Sequence, residues 1–245
     1  MRRLPSGTRI ETFDTLDSTS AEARRRSEAG ATEPVWIVAL RQTDGYGRRG
    51  RRWEQDAGDF AGTLLFKPEA PPEHWGQLSF VIALGLASAF DGLVGEDKID
   101  LKWPNDVLLD GGKCAGILLE NLGRHLSIGV GVNMVTAPEG MPYKVTRLVD
   151  YVLPPPGPGA FAASLDGHFQ DYYGTWVREG FAPIRDIWLK RARGVAAKIT
   201  VRLPNAEFSG VFEGIDETGA LILRTGEGTR TIAAGDVFFS PQPED

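Results

Sequence analysis

The chain has 245 residues, 42% of them hydrophobic and 24% charged, which is enough to bury a sizeable core and excludes a disordered or fibrous protein. Its net charge of -6 argues against nucleic acid as the main partner, because phosphate contacts need a basic face. The single cysteine, Cys114, excludes an internal disulfide and favours a cytoplasmic setting, and we predict neither a signal peptide nor a membrane span.

Strands interrupted by helices are predicted for the larger, N-terminal part of the chain. Thr19-Ser20-Ala21-Glu22 has the spacing of a capping box, so we expect a helix to begin there and to end near Gly30. Dense apolar residues from His74 to Phe90 predict a helix buried against a sheet. Further strands are predicted at 10–16, 35–40, 61–66, 99–103, 107–109, 115–120 and 126–132, and further helices at 159–178 and 183–192. The proline-rich run 153–159 is expected to be an irregular surface connection.

After Gly194 the pattern changes to short alternating strands, predicted at 197–202, 208–215, 220–223, 229–232 and 237–239. Five short strands separated by turn residues indicate a small β-barrel. We therefore predict an α+β protein of two domains. Residues 1–193 would form a mixed β-sheet flanked by helices, and residues 194–245 would form the barrel.

The segment from Gln42 to Trp53, which we call the glycine-arginine loop, contains three glycines and four arginines. Glycine lets backbone N–H groups approach a ligand, and the arginine fork matches carboxylate or phosphate oxygens, so the segment predicts an anion-binding loop. It formally matches the dinucleotide fingerprint G-x-G-x-x-G, but no apolar helix follows it. A P-loop is excluded because Gly50 is followed by two arginines. A solvated basic turn stays open as the alternative.

Two other segments carry candidate site residues. From Lys102 to Asp106 a cation, an amide and a carboxylate surround a proline, and a following hairpin turn could bring Lys113 beside Asp106. A plain turn with an edge lysine is the alternative interpretation. Gly129 and Gly131 alternate in a strand and leave one face without side chains, where either a ligand or a helix must come close.

Neither a metal centre nor a hydrolytic triad is predicted. His74, His125 and His168 lie far apart, without a carboxylate or cysteine at ligand spacing. Cys114 lies in an apolar strand, so we predict a buried small hydrophobe and not a nucleophile.

In this order, these segments resemble the biotin protein ligases over nearly the whole chain. The serine-threonine biotin motif of that family resembles Asp17-Ser18-Thr19-Ser20, and its arginine loop resembles the glycine-arginine loop. Its Lys-Trp-Pro-Asn-Asp segment matches Lys102 to Asp106 residue for residue, and its Lys-x-Ala-Gly-Ile-Leu strand is Lys113 to Leu118. The resemblance implies a catalytic fold like that of class II aminoacyl-tRNA synthetases, followed by an SH3-like barrel.

The resemblance also implies an activity and its partners. Biotin and MgATP would give biotinyl-5′-AMP and pyrophosphate, and a lysine of a biotin carboxyl carrier domain, such as that of acetyl-CoA carboxylase, would then receive the biotinyl group. The Mg²⁺ would be held mainly by the ATP phosphates. No nucleic acid or membrane partner is expected, and the family forms both monomers and homodimers.

Roles for individual residues follow from the same resemblance. The implied biotin-binding residues are Ser18, Thr19, Ser20, Gln42, Tyr46, Gly47, Arg48, Lys113, Gly116 and Gly131. The implied nucleotide-binding residues are Arg48, Arg51, Trp53, Lys102, Asn105, Asp106 and Asn133. Arg48, Lys113 and Asp106 are the catalytic candidates. Arg48 and Lys113 would neutralise the charge of a carboxylate that attacks a phosphate, and Asp106 could orient the incoming lysine.

Two positions depart from the family pattern, and two rival functions stay open. Ser20 stands where asparagine is common, and Tyr46 stands where arginine is usual, so more of the charge neutralisation falls on Arg48 and Lys113. The serine-threonine motif begins near residue 18, so we expect a ligase without DNA-binding activity. The rivals are a lipoate or octanoate transferase and a biotin-binding or carrier-docking module without catalysis.

Overall fold

The computed structural model describes residues 2–239 and contains two β-sheets. The larger sheet consists of β1 (Arg2–Arg3), β2 (Arg9–Phe13), β3 (Val35–Ala39), β4 (Phe60–Phe66), β5 (Ile99–Lys102), β6 (Asp106–Leu109), β7 (Gly112–Asn121) and β8 (Leu126–Val132). Its strand order is β1-β2-β3-β4-β8-β7-β6-β5. Only β2 and β3 pair in parallel, and the other neighbours are antiparallel, so the sheet is mixed as predicted.

Helices cover both faces of this sheet. On one face lies α1 (Thr19–Glu28), and on the other lie α2 (Leu78–Val94) and α3 (Pro158–Glu179). A fourth helix, α4 (Phe181–Arg191), follows α3 and contacts β5. Because both faces are covered, every residue of β3 and β4 is buried, which explains their continuous apolar sequences.

The stretch 72–94, a 3₁₀ turn followed by α2, is long and apolar enough to cross a membrane by length and composition alone. The core helix of a soluble protein passes the same test. Here α2 packs against α3, where Phe90 and Phe161 lie with ring centroids 5.7 Å apart, and Phe161 also meets Phe60 of β4 edge to face at 5.0 Å. The stretch therefore contributes to the core under the sheet.

The smaller sheet is the predicted five-stranded antiparallel unit. Its strands are β9 (Lys198–Arg202), β10 (Glu207–Ile215), β11 (Leu221–Thr225), β12 (Gly228–Ile232) and β13 (Asp236–Phe239), in the order β12-β11-β10-β9-β13. Its buried residues belong to the same apolar cluster as the helices of the larger unit. The indole N–H of Trp103 also donates to the Gly219 carbonyl at 3.0 Å, so the barrel is fixed beside the segment that follows β5.

Some element boundaries differ from the prediction. The strand predicted at 10–16 ends at Phe13, and Leu16 only forms an isolated bridge with Gln42. The cap of α1 is Ser18 and not Thr19, because the Ser18 hydroxyl accepts from the Ala21 N–H at 3.4 Å.

Another difference concerns the proline-rich connection, which is shorter than predicted. Pro158 and Gly159 are the first residues of α3. Proline fits the first position of a helix because it lacks an N–H and has a helical φ angle. The proposed boundary between residues 193 and 194 falls in the turn between α4 and β9, and residues 240–245 of the second unit lie outside the described residues.

Candidate active site

A cleft of about 260 Å³ lies where the glycine-arginine loop, the ends of β6 to β8 and barrel strand β13 meet. Nearly all the predicted site residues line it, namely Thr19, Ser20, Gln42, Tyr46, Gly47, Arg48, Arg51, Trp53, Lys102, Asn105, Asp106, Lys113, Gly116, Gly131 and Asn133. The exception is Ser18, which caps α1 and does not line the cleft. Segments that are far apart in sequence therefore form one site.

One end of the cleft is built from neutral polar groups, which we call the hydroxyl cluster: Thr19, Ser20, Gln42 and Thr63. The Gln42 side-chain oxygen accepts from the backbone N–H of Thr19 at 2.8 Å and from its hydroxyl at 3.2 Å. The Thr63 hydroxyl donates to the Thr19 hydroxyl at 2.9 Å and lies 3.3 Å from the Ser20 hydroxyl. Since these groups already hold one another, they present fixed hydrogen-bonding positions to a ligand.

The floor of the cleft is formed by glycines of β7 and β8. A Cβ atom at Gly131 would overlap the indole of Trp53, and one at Gly116 would lie 3.2 Å from the same ring. A Cβ at Gly129 would lie 2.9 Å from the Ser20 hydroxyl oxygen. On the bare face predicted from the two alternating glycines, Gly131 is therefore covered by Trp53 of the loop, and Gly129 is covered by Ser20 at the start of helix α1.

The indole N–H of Trp53 is buried and has no hydrogen-bond partner among the described residues. Leaving such a donor unpaired costs free energy, and native structures seldom do so without a reason. Because Trp53 lines the cleft, a ligand with an acceptor atom would satisfy this N–H.

Arg48 reaches into the cleft but meets only an amide. Its Nη1 donates to Asn105 Oδ1 at 2.9 Å, and Asn105 in turn donates to the Ile117 carbonyl at 2.7 Å. Burial lowers the pKa of Arg48, although the charges of Asp236 and Asp106 oppose this shift. Across residues 2–239, no carboxylate lies within 4.0 Å of this guanidinium.

Lys102 is a second cation in a similar position. Its ammonium lies 5.5 to 5.9 Å from the ring centroids of Tyr143, Phe238 and Phe239. Burial lowers the pKa of Lys102, and the positive charge of Lys113 adds to this effect while Asp106 opposes it. In the part of the chain that the structure describes, Lys102 has no ion pair within 4.0 Å.

Lys113, by contrast, has a charged partner. The hairpin between β6 and β7 places its Nζ 2.7 Å from Asp106 Oδ1, and both side chains are about four-fifths buried, with exposed fractions of 21% and 17%. This is the proximity that the sequence suggested. The pair is available to orient a ligand without adding net charge to the cleft.

The loop is also tied to the barrel, a contact that the sequence did not reveal. Asp236 Oδ1 lies 2.8 Å from Arg51 Nη2, and Oδ2 lies 3.3 Å from Arg49 Nη1. Burial by itself would raise the pKa of Asp236, but the hydrogen bond from Arg51 and the charges of Arg51, Arg49 and Arg48 lower it overall. The Asp236 side chain therefore stays a carboxylate beside the arginines.

Tyr46, which replaces the usual arginine, points toward β7. Its hydroxyl donates to Glu120 Oε2 at 3.2 Å, and the same carboxylate pairs with Arg24 of α1 at 2.8 Å. Burial and the Glu120 charge raise the pKa of Tyr46, so the phenol stays neutral. Tyr46 therefore anchors the start of the loop and brings no charge into the cleft.

Asn133, predicted to bind the nucleotide, makes backbone contacts. Its side-chain amide donates to the carbonyls of Lys113 at 3.3 Å and Thr146 at 3.4 Å. It lines the cleft while bracing the strand that carries Lys113. Cleft residues that the sequence analysis missed are Tyr143 and neighbours between 138 and 145, and Asp236 to Phe238 of the barrel. It also missed Thr63, which does not line the cleft but supports Thr19 and Ser20 from behind.

His125 and Cys114 both lie buried in the structure. His125 is held by Ser27 and the Ala31 carbonyl, both at 2.9 Å from its ring nitrogens. Burial raises the pKa of the Cys114 thiol to about 12, as expected for a buried hydrophobe and not for a nucleophile. Residues 2–239 contain no group of three or more His, Cys, Asp or Glu side chains that could hold a metal ion.

The mixed sheet, the glycine-floored cleft and the terminal barrel define the catalytic architecture of a carboxylate-activating ligase. Residues 13–133 match the biotin/lipoate A/B protein ligase family, and residues 198–240 match the biotin protein ligase C terminal domain. The chain is 41% identical over 237 residues to a biotin--acetyl-CoA-carboxylase ligase of Paracoccus denitrificans, with 91% of this chain and 97% of that protein covered. This chain therefore belongs to the biotin protein ligase family, and it is a biotin ligase.

Other relatives and solved structures agree. The bifunctional ligase/repressor BirA of Bacillus subtilis is 30% identical over 91% of this chain and 72% of its own length. The biotin protein ligase of Aquifex aeolicus, solved with biotin and ATP, superposes with a TM-score of 0.82 at 24% identity, covering 94% of this chain and 97% of that one. The ligase of Leishmania major, solved with biotinyl-5-AMP, gives 0.70 at 23% identity, covering 92% and 99%. These two structures support the fold.

Proposed function

We propose that this ligase works in two steps in the one cleft. Biotin and ATP first give biotinyl-5′-AMP and pyrophosphate, and the biotinyl group then passes to a lysine of a biotin carboxyl carrier domain. The observation that carries the first step is the pair of partly buried cations, Arg48 and Lys102, without a carboxylate within 4.0 Å among the described residues. Buried charge of this kind needs a counter-charge, and nucleotide phosphates supply it.

The neutral end of the cleft would hold the ring system of biotin. A ureido group has N–H donors and a carbonyl acceptor, which match the hydroxyls and amide of Thr19, Ser20 and Gln42. Ser18 would act indirectly, because its hydroxyl caps the helix that carries Thr19. The Trp53 ring on the glycine floor would cover the apolar part of the ligand.

The charged end would carry the first reaction. A biotin carboxylate oxygen attacks the α-phosphorus of ATP, a new C(O)O–P bond forms, and the bond to pyrophosphate breaks so that its electron pair leaves with pyrophosphate. Arg48 and Lys102 would reduce the repulsion between the two anions, and Lys113 would orient the carboxylate. Arg51 is already paired with Asp236, so we give Arg48 the larger share.

In the second step the carrier lysine amine would attack the carbonyl carbon of the mixed anhydride. A C–N bond forms, the C–O bond to AMP breaks so that its electron pair leaves with AMP, and the amine passes a proton to solvent. Asp106, on the cleft wall with its side chain 17% exposed, would orient that amine, and its pair with Lys113 links the two steps.

Mg²⁺ would enter as a complex with ATP. Residues 2–239 provide no cluster of metal-ligating side chains, and the carboxylate of Asp106 is paired with Lys113. Such a site fits an ion that the nucleotide phosphates hold for the most part.

The proposal also covers the domain boundaries, the cellular location, the acceptor protein and the oligomeric state. We propose catalytic and barrel domains at 1–193 and 194–245, a cytoplasmic location and a carboxylase carrier domain as acceptor, in line with the name of the Paracoccus relative. We also propose that the chain has no repressor activity, since its family matches cover only ligase segments. Sequence-specific operator binding in a gel-shift assay would refute that last point. Whether the chain acts as a monomer or a homodimer is tested by light scattering.

The deciding experiment is to incubate the purified protein with biotin and α-labelled ATP, without a carrier. We expect labelled biotinyl-adenylate and released pyrophosphate from the wild type, and loss of both in Arg48→Ala. Arg230→Ala, which removes a surface pair with Glu227 at the barrel edge opposite β13, serves as the control. Product with lipoate or octanoate but not biotin would indicate the rival transferase, and biotin binding without any product would indicate a binding module.

A further inference from the structure

The glycine-arginine loop folds back on itself as a small hairpin. The Gly47 N–H donates to the Arg51 carbonyl at 2.7 Å, the Trp53 N–H donates to the Gly45 carbonyl at 2.9 Å, and Tyr46 bridges to Arg52. Because these backbone bonds join the two arms, a force on one arm is transmitted to the other. A contact at the tip therefore fixes the position of Arg48 as well.

The tip of this hairpin is held from two sides. Arg49 and Arg51 reach the Asp236 carboxylate at the start of β13, at 3.3 and 2.8 Å. Arg48, between them in sequence, reaches in the other direction to Asn105 at 2.9 Å. Arg49 has a φ angle of 58°, a left-handed conformation that is uncommon for a residue with a side chain, and the ion pair helps to hold it.

We propose that Asp236 is a positioning residue, which holds the glycine-arginine loop against the barrel and thereby sets Arg48 over the cleft for adenylate formation. The barrel thus takes part in the first step of the reaction through one carboxylate. This inference rests on the proposed two-step function for its catalytic consequence, but the loop contact itself can be measured without it.

The size of the effect follows from exposure. The Asp236 side chain is 27% exposed, and those of Arg49 and Arg51 are 40% and 56% exposed, so each ion pair is weakened by solvent. The two pairs converge on one carboxylate, and together they would change the open fraction of the loop by roughly fivefold. Because substrate affinity falls in proportion to the closed fraction of the loop, the loss in affinity is at most this factor.

Trypsin provides a direct readout, because the loop contains four arginines. We would measure the initial rate of tryptic cleavage within residues 48–52 by mass spectrometry for the wild type, Asp236→Asn, Asp236→Glu and Glu227→Gln. Glu227 forms an ion pair with Arg230 at 2.7 Å beside β12, which lies at the opposite edge of the barrel sheet from β13, so its variant is the matched control.

The expected result is loop cleavage roughly fivefold faster in Asp236→Asn, with most of the protection restored in Asp236→Glu and none lost in Glu227→Gln. Salt at 0.5 M, which screens exposed charges, should accelerate loop cleavage in the wild type and change it little in Asp236→Asn. Cleavage of Asp236→Asn at the wild-type rate, or equal acceleration in Glu227→Gln, would overturn the proposal.

Kinetics then test the positioning role. Asp236→Asn should raise the KM for biotin and ATP in adenylate formation by a few-fold and leave the carrier-transfer step from supplied biotinyl-adenylate less affected. Faster loop cleavage with unchanged KM values would show a tether without a catalytic consequence and would overturn the positioning role. A wild-type protein that forms no biotinyl-adenylate would instead refute the proposed function, while the trypsin comparison would still decide the loop contact.

Discussion

The two ends of the cleft differ in whether their polar side chains already have partners. In the hydroxyl cluster, Thr19, Ser20, Gln42 and Thr63 are linked to one another by hydrogen bonds of 2.8 to 3.3 Å. At the charged end, Arg48 and Lys102 have no carboxylate within 4.0 Å among the described residues, and burial lowers the pKa of both. The neutral end therefore offers hydrogen-bonding positions that are already fixed, whereas the charged end offers cations to an anion that residues 2–239 do not supply.

The largest expected effect is at the charged end. Arg48→Ala should reduce the single-turnover rate of adenylate formation by roughly 10²- to 10³-fold, as does the loss of other preorganised groups that stabilise a charged transition state. Arg48→Lys should recover only part of the rate, because an ammonium cannot keep the bond to Asn105 and also reach a phosphate in the same geometry. A rate for Arg48→Ala above one tenth of the wild-type rate would contradict the assigned role, provided that circular dichroism shows a folded variant.

At the neutral end, Thr19→Val should weaken biotin binding by roughly 10- to 100-fold, because the substitution leaves the Thr63 hydroxyl and the Gln42 oxygen with fewer partners. The ATP affinity should be almost unchanged. Isothermal titration with each ligand separately tests this division. Equal losses for both ligands would show that the two ends are not independent.

A pH titration tests Lys102, whose pKa is lowered from 10.5 by burial. As the pH rises through that lowered pKa, the ammonium loses its proton, so the KM for ATP should rise by roughly tenfold at a pH below the usual lysine range. Protein stability should respond to pH in the opposite direction to ATP binding. The unfolded chain binds this proton more tightly, so the free energy of unfolding should increase as the pH rises from the lowered pKa toward the usual lysine pKa. In Lys102→Arg, the KM for ATP should not change with pH up to pH 10. If the KM of this variant rose with pH as it does in the wild type, Lys102 would be excluded as the cause of the rise.

The smallest expected effect concerns the start of the loop. Tyr46→Phe removes the 3.2 Å hydrogen bond to Glu120 but keeps the ring, so the KM for biotin should rise by about two- to fivefold with kcat unchanged. Glu120→Gln, which keeps an acceptor for the phenol, is the matched comparison and should have a weaker effect. If Tyr46→Phe weakened biotin binding more than Thr19→Val does, the phenol would contribute more to biotin affinity than the hydroxyl cluster, contrary to this prediction.

Sequence patterns predicted the parts of this site that are local. The β6–β7 hairpin brings Lys113 to Asp106 because the turn between them is short, and alternating glycines in β8 indicated a face that must accept another group. The capping residue was misplaced by one position because Ser18 and Thr19 are both good caps.

The parts that sequence patterns missed are brought in by tertiary packing. Asp236 meets Arg51 only because the barrel packs beside the segment after β5, and a single acidic residue at a strand start gives no local signal. Thr63 lies within a continuous apolar strand, where a buried threonine reads as a packing residue. The covering of the glycines by Trp53 likewise depends on how the loop folds back, which the pattern of arginines does not encode.

The cleft wall includes Thr19 near one end of the sequence and Asp236 to Phe238 near the other. During protein synthesis, a growing chain can fold the larger sheet and form the hydrogen bonds within the loop hairpin. The part of the cleft wall that β13 forms is absent until Asp236 to Phe239 have left the ribosome. A chain interrupted anywhere before residue 236 therefore lacks one side of the cleft. An incomplete translation product would leave Arg49 and Arg51 without their carboxylate partner Asp236, so we expect the cleft to take its final form only after β13 has been synthesised.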